Sequence, residues 1–114
     1  EDFANHLALD AASPATLGVV NCTSVGMWPH QQESPVRWPQ QSLQGLQVCD
    51  VIYNPLRTAF LQQAAAQGAD ILLGSGMLVA QALEAVSFFL GATTPLQQHY
   101  PWLLQILEQE LKPV

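Results

Sequence analysis

The chain has 114 residues, 49% of them hydrophobic and only 11% charged. That is room for one small domain or for part of a larger one, and such a composition excludes disorder because its apolar surface must be hidden, within the chain or against something outside it. Three Lys and Arg against nine Asp and Glu give a formal net charge of −6; with Arg37, Arg57 and Lys112 scattered, neither a nucleic acid nor an anionic membrane is an expected partner.

The first predicted element is a strand over Leu17–Cys22, a short apolar run preceded by Pro14 and expected to be buried on both faces. It runs into a turn at Thr23–Met27. From Trp28 to Gln44 the sequence has three prolines, many Gln and Ser and no period, which reads as a long surface loop. A second strand over Gln47–Tyr53 ends in the turn signal Asn54-Pro55. Thr58 is the candidate N-cap of a helix reaching about Gln67, stopped by Gly68.

A third strand, Asp70–Leu73, passes through Gly74-Ser75-Gly76 into a strongly apolar helix from about Ser75 to Leu90, closed by Gly91. Pro95 and Pro101 then punctuate a final amphipathic helix ending near Leu111. Strands alternating with helices over short connections predict an α/β fold: three parallel strands, half of a doubly wound sheet, followed by terminal helices. An open edge of such a half-sheet offers unpaired backbone groups, so self-association through it is an expectation.

Cys22 and Cys49 lie in the strand runs without a C-x-x-C spacing and read as buried free thiols in a reducing compartment, a disulfide being the alternative. No signal peptide pattern precedes the first strand, and the longest apolar helix is interrupted by Gln81 and Glu84, too polar to span a bilayer. A cytoplasmic protein is expected.

Three segments could carry chemistry. Asn21-Cys22-Thr23-Ser24-Val25-Gly26-Met27 puts hydroxyls and a glycine at the carboxyl end of a parallel strand, the edge where open α/β sheets bind ligands; an ordinary strand-to-loop turn is the alternative. Asp50-Val51-Ile52-Tyr53-Asn54-Pro55 brings the Tyr53 phenol out beside it, as a donor to a substrate or as a plain rim tyrosine. Gly74-Ser75-Gly76-Met77-Leu78-Val79-Ala80-Gln81 has glycines that allow close backbone approach to a ligand at a helix start. It is not a G-x-G-x-x-G fingerprint.

Gln81, a neutral amide in an apolar helix, must find hydrogen-bond partners or pay a desolvation penalty; a polyhydroxylated ligand or the backbone could supply them. Met77 lies one turn earlier on the same face and reads as core or as a cofactor contact. His6, His30 and His99 have no metal-ligand spacing, no serine-hydrolase motif is present, and Trp28, Trp38 and Trp102 do not form a base-stacking platform.

In order and spacing, these three segments resemble the signature segments of shikimate dehydrogenases, most clearly from Leu17 to Gly91. The resemblance implies a Rossmann-like domain and an NADP-dependent, reversible reduction of 3-dehydroshikimate to shikimate in aromatic amino-acid biosynthesis. It implies further that Thr23 and Ser24 lie along the cofactor, that Val51 and Gly74 offer backbone to its nicotinamide end with Met77 nearby, and that Tyr53 and Gln81 face the substrate.

The family's proton-transfer Lys and its Asp partner have no counterpart here, the sole lysine being Lys112, so no catalytic residue is assigned. The glycine-rich pyrophosphate turn and the Arg-bearing loop for the 2′-phosphate also have no match. The expectation is therefore that residues 1–114 form the carboxyl-terminal part of the NADP-binding domain, with 92–114 as terminal helix and no amino-terminal substrate domain. Such a chain should be inactive alone. Two rivals are a non-catalytic half-domain that pairs with a partner or itself, and a quinate/shikimate dehydrogenase that uses NAD. No metal is expected.

Overall fold

The computed structural model describes residues 18–91 and 96–111. The predicted start of the first strand at Leu17, Pro95 at the head of the last helix, His6 and Lys112 lie outside those residues. Strands β1 (Gly18–Asn21), β2 (Gln47–Asp50) and β3 (Asp70–Leu72) form one parallel sheet in the order β1-β2-β3. Helix α1 (Ala59–Ala66) joins β2 to β3; α2 (Gly74–Leu90) follows β3, and a 3-10 turn (Leu96–His99) leads into α3 (Tyr100–Glu110). The α/β order read from the sequence is the order observed.

Parallel register aligns Val19, Val48 and Ile71 in one row across the sheet and Val20, Cys49 and Leu72 in the next. Because successive side chains on a strand point to opposite faces, these rows belong to different faces. The first row packs into the main core with Leu43, Leu46, Phe60, Leu61 and Ala64. On the second row Val20 is 55% and Leu72 56% exposed. The expectation that β1 is buried on both faces is therefore corrected: one face is covered and the other is bare, because α1 packs on one side only.

The segment between β1 and β2 is a second correction. It contains no helix, yet it is not a purely surface loop, since Val36, Trp38, Leu43 and Leu46 are buried in the core. Trp38 stacks on Phe60 with ring centroids 5.0 Å apart, and its indole N–H donates to the Phe60 carbonyl at 3.0 Å. Both ends of the indole are thus satisfied, and the loop does the covering that a crossover helix does in a regular βαβ unit. Polar Gln and Ser face water between these apolar anchors, which is why the stretch has no readable period.

Helix α1 is made of good helix formers, AFLQQAAA, and is capped by Thr58, whose hydroxyl accepts the Leu61 N–H at 3.3 Å. Strand β2 stops at Asp50, short of the predicted Tyr53, because beyond it the Ile52 N–H bonds to the Asp50 carboxylate at 3.0 Å. Helix α2 is closed by Gly91 as predicted, its N–H bonding to Phe88 and Ser87 carbonyls. Ser75 Oγ donates to Glu108 Oε1 at 3.3 Å and Gln97 Nε2 to Glu84 Oε1 at 2.6 Å, tying α2 to α3 and the 3-10 turn.

Both cysteines are free, but burial is corrected too: Cys22 falls just past β1 and is exposed, and Cys49 is half-buried. Burial and the neighbouring Asp50 and Cys22 push the Cys49 thiol pKa up.

Candidate functional site

Parallel strands end together, so the residues just beyond Asn21, Asp50 and Leu72 must share one edge of the sheet. A hydrogen-bond network built on Asp50 sets their arrangement. Asn21 Nδ2 donates to both Asp50 oxygens at 3.2 Å and to the Val25 carbonyl at 3.3 Å. The Thr58 hydroxyl donates to Asp50 Oδ2 at 2.7 Å while it caps α1. Asn21 Oδ1 accepts from the Thr23 N–H at 3.0 Å and the Thr23 hydroxyl at 2.7 Å, and Thr23 Oγ1 in turn accepts the Val25 N–H at 3.1 Å.

Asn21, Asp50 and Thr58 are buried, and among the described residues no buried side-chain polar atom is left unpaired. Asp50 receives only donors, the pattern of a carboxylate rather than a carboxylic acid. The Val51 N–H bonds to the Asn21 carbonyl at 3.2 Å, which extends the β1–β2 pairing one residue past the strands.

Beside this network is a cleft of about 190 Å³ lined by Met27, Trp28, Ile52, Tyr53 and Asn54. It is smaller than the roughly 300–1,000 Å³ of a complete small-molecule site, and so has the size of one part of a site. The Trp28 N–H donates to the Asn54 carbonyl at 3.0 Å and pins the loop after β1 to the loop after β2. Trp28, Met27 and Tyr53 are 61%, 48% and 42% exposed. A larger depression of about 450 Å³, lined by Gln40, Gln41, Ser42, Ala66 and Gln67, belongs to the loop before β2 and the end of α1, away from the carboxyl edge.

The glycines after β3 have a cause inside the chain. A Cβ on Gly74 would lie 2.5 Å from the Ile52 carbonyl oxygen and 2.7 Å from that of Asp50, so only glycine lets α2 begin against the end of β2. A Cβ on Gly76 would lie 2.7 Å from the Tyr100 hydroxyl. Both glycines thus accommodate the protein's own backbone and side chains.

Thr23, Val51, Tyr53 and Gly74 are thereby gathered at the carboxyl edge, with Ser24 exposed in the turn beside Thr23. Met77 and Gln81 stand farther along α2; Met77 is 48% exposed and Gln81 is exposed, and the hydrogen bonds that link the first two segments do not reach them. The expectation that Gln81 needs hydrogen-bond partners inside an apolar helix is corrected: it is exposed to water. Sequence reasoning missed Asp50 and Thr58 as parts of the site. The available signal was an acid inside an apolar strand run eight residues before a helix cap. Trp28 carried no signal beyond its position after Met27.

The groups offered at this edge are neutral: hydroxyls of Thr23 and Ser24, backbone, a thioether and aromatic rings. They suit contact with a flat ring, and α2 starts at the same edge with no side-chain cap on its first N–H groups. Among the described residues no cluster of His, Cys, Asp and Glu could hold a metal ion. No described helix is long and apolar enough to cross a membrane.

No family model matches the chain. It is 32% identical over 111 residues to the shikimate dehydrogenase (NADP(+)) of Syntrophomonas wolfei, an alignment covering 96% of this chain and 38% of that one. The structure superposes on a chorismate mutase/shikimate 5-dehydrogenase fusion protein from Clostridium acetobutylicum with a TM-score of 0.72 at 29% identity, over 84% of this chain and 35% of the other. It superposes on shikimate 5-dehydrogenase from Listeria monocytogenes, solved with shikimate and NAD, with a TM-score of 0.71 at 28% identity, over 91% and 34%. In sequence and in its Rossmann-like fold the chain is therefore similar, over most of its length, to a part of the shikimate dehydrogenases, and it spans little more than a third of those relatives.

Proposed function

We propose that the chain is the carboxyl-terminal part of the NADP-binding domain of a shikimate dehydrogenase, and that its sheet edge forms the nicotinamide-facing wall of the site. The observation that carries this reading is the convergence of Thr23, Val51, Tyr53 and Gly74 on one edge beside a small, neutral, aromatic-lined cleft. In the reaction NADPH supplies the hydride, which passes to the ketone carbon of 3-dehydroshikimate, while a proton reaches the ketone oxygen; the reverse oxidises shikimate.

The residues here bind and orient. Thr23 and Ser24 run along the cofactor, Val51 and Gly74 present backbone to the nicotinamide, and Met77 flanks it. Tyr53, from the cleft, and Gln81, from farther along α2, face the substrate. The proton-transfer Lys and Asp of the family, its glycine-rich pyrophosphate turn and its Arg-bearing loop have no match among these residues. The helical segment from Leu96 to Glu110 serves as the terminal element of that domain, and the enzyme works in the cytoplasm.

The test is an assay of the gene product carrying these residues. Substrate-dependent oxidation of NADPH with 3-dehydroshikimate is the expected result, and its absence in a folded, nucleotide-binding protein would overturn the reading. Running quinate with NAD+ beside shikimate with NADP+ and following cofactor reduction separates the NAD-dependent alternative, which the Listeria relative's complex with NAD motivates. The 114-residue chain by itself should not turn over.

A second reading is favoured by the bare row of Val20 and Leu72. In it the chain is a non-catalytic half-domain that pairs with a partner or with a second copy through the open sheet. Sedimentation of the isolated chain decides between them: a concentration-independent monomer removes self-pairing.

A further inference from the structure

We propose that Asp50 is the positioning residue of this site, the group that holds the three site-bearing segments in register. The inference rests on the reading of this edge as the nicotinamide site. Asp50 is fully buried and has no Lys, Arg or His partner among the described residues, so hydrogen-bond donors alone compensate its carboxylate. A buried carboxylate is an expensive way to fasten a strand end, and apolar packing could do that alone. What apolar packing cannot do is fix direction.

Each donor to Asp50 comes from a different piece of the edge. Asn21 carries the Thr23 turn, bonded to it through Asn21 Oδ1 at 2.7 and 3.0 Å. The Ile52 N–H, at 3.0 Å, aims the backbone between Val51 and Tyr53. Thr58, at 2.7 Å, anchors the start of α1. The third segment is seated by the Asp50 backbone, since the Gly74 Cα packs against the Asp50 and Ile52 carbonyls with no room for a Cβ. Two of the three donors to Asp50, Asn21 and Ile52, are thus adjacent to or within two residues of ligand-facing ones, and the third, Thr58, fixes the start of α1.

Asp50→Asn keeps the shape but replaces one acceptor oxygen by an NH₂: turned toward Ile52 it opposes that N–H, turned toward Thr58 it forces the hydroxyl to accept instead of donate, and either way Asn21 loses one of its two acceptors. Two measurements test the proposal. The first is amide hydrogen exchange in the 114-residue chain. Asp50→Asn should speed exchange at Thr23 and Val25, which do not touch Asp50, by about tenfold, while Val48 in the centre of the sheet is unchanged. Unchanged Thr23 and Val25, or a uniform rise that includes Val48, overturns it.

The second is steady-state kinetics in the active gene product. Asp50→Asn should lower kcat by about 100-fold with a smaller change in KM for NADPH, and should raise the primary isotope effect with NADPH deuterated at the transferred position, because misplacement slows the hydride step itself. A smaller folded fraction would lower kcat without moving the isotope effect. The pair Thr58→Ser and Thr58→Val gives a second route: serine should preserve rate and isotope effect, and valine should reproduce the Asp50→Asn behaviour. Wild-type rates and isotope effects in Asp50→Asn overturn the positioning role alone, whereas a wild-type protein with no turnover overturns the functional reading and leaves the exchange result to decide the coupling.

Discussion

The β1–β2–α1 unit and the α2–α3 pair are built on different principles. In the first, Leu43, Val48, Phe60, Leu61 and Ala64 are nearly or fully inaccessible, and a long irregular loop is pulled into the core by Val36 and Trp38. In the second, α3 has no buried residue, α2 buries only Gly74, Ser75, Val79 and Leu83, and Phe88 and Phe89 are each 83% exposed. Where the chain encloses its own apolar surface it needs nothing further. Where it displays aromatic residues to water, its apolar composition is answered only by something outside the described residues.

The contrast can be broken most forcefully at Phe60. Phe60→Ala removes the ring that Trp38 stacks on and should cost about 3–5 kcal/mol, read as a loss of the cooperative urea transition. Trp38→Phe keeps most of the packing but removes the indole hydrogen bond to the Phe60 carbonyl, for an expected loss of about 0.5–1.5 kcal/mol in the same titration. Such losses from a residue in an irregular loop would establish that the loop belongs to the core; surface-like losses below about 0.5 kcal/mol would show that it does not.

Within the α2–α3 pair, Gly76→Ala tests how α3 is seated. An added Cβ meets the Tyr100 hydroxyl, which offsets the roughly 1 kcal/mol that alanine gains over glycine inside a helix. The substitution should therefore be neutral or destabilising alone and stabilising by about 1 kcal/mol in a Tyr100→Phe background, a change of sign that a double-mutant cycle resolves. The smallest effect is expected at Phe88. Phe88→Ser should shift stability by less than about 0.5 kcal/mol while raising the solubility of the isolated chain. A large loss there would mean that α2 is packed more like the first unit.

Readability of the sequence followed the range of the interactions. The Thr58 cap, the Gly91 stop and the strand–helix alternation are decided within a few residues of each other, and each was legible. The carboxyl-edge location of Thr23, Val51, Tyr53 and Gly74 was legible as well, because parallel strands end on the same side wherever they lie in the sheet. The role of Asp50 was not. Its partners lie eight residues away at Thr58 and 29 away at Asn21, and an acid in an apolar run signals burial without telling which donors will meet it.

Gln81 failed in the opposite direction. A neutral amide among Leu, Val and Ala reads as buried only if the whole helix is buried, and α2 turns that face to water. The bare row of Val20 and Leu72 has the same origin: apolar runs record the capacity for burial on two faces, not the presence of two covers. By itself, then, the sequence determined the α/β order, the parallel sheet and the site-bearing segments, since local periodicity, capping and turn chemistry settle these. Only the tertiary structure decided which face is covered, that the 28–44 loop is core and that Asp50 binds the segments together, because burial and long-range hydrogen bonds depend on what is brought alongside in space.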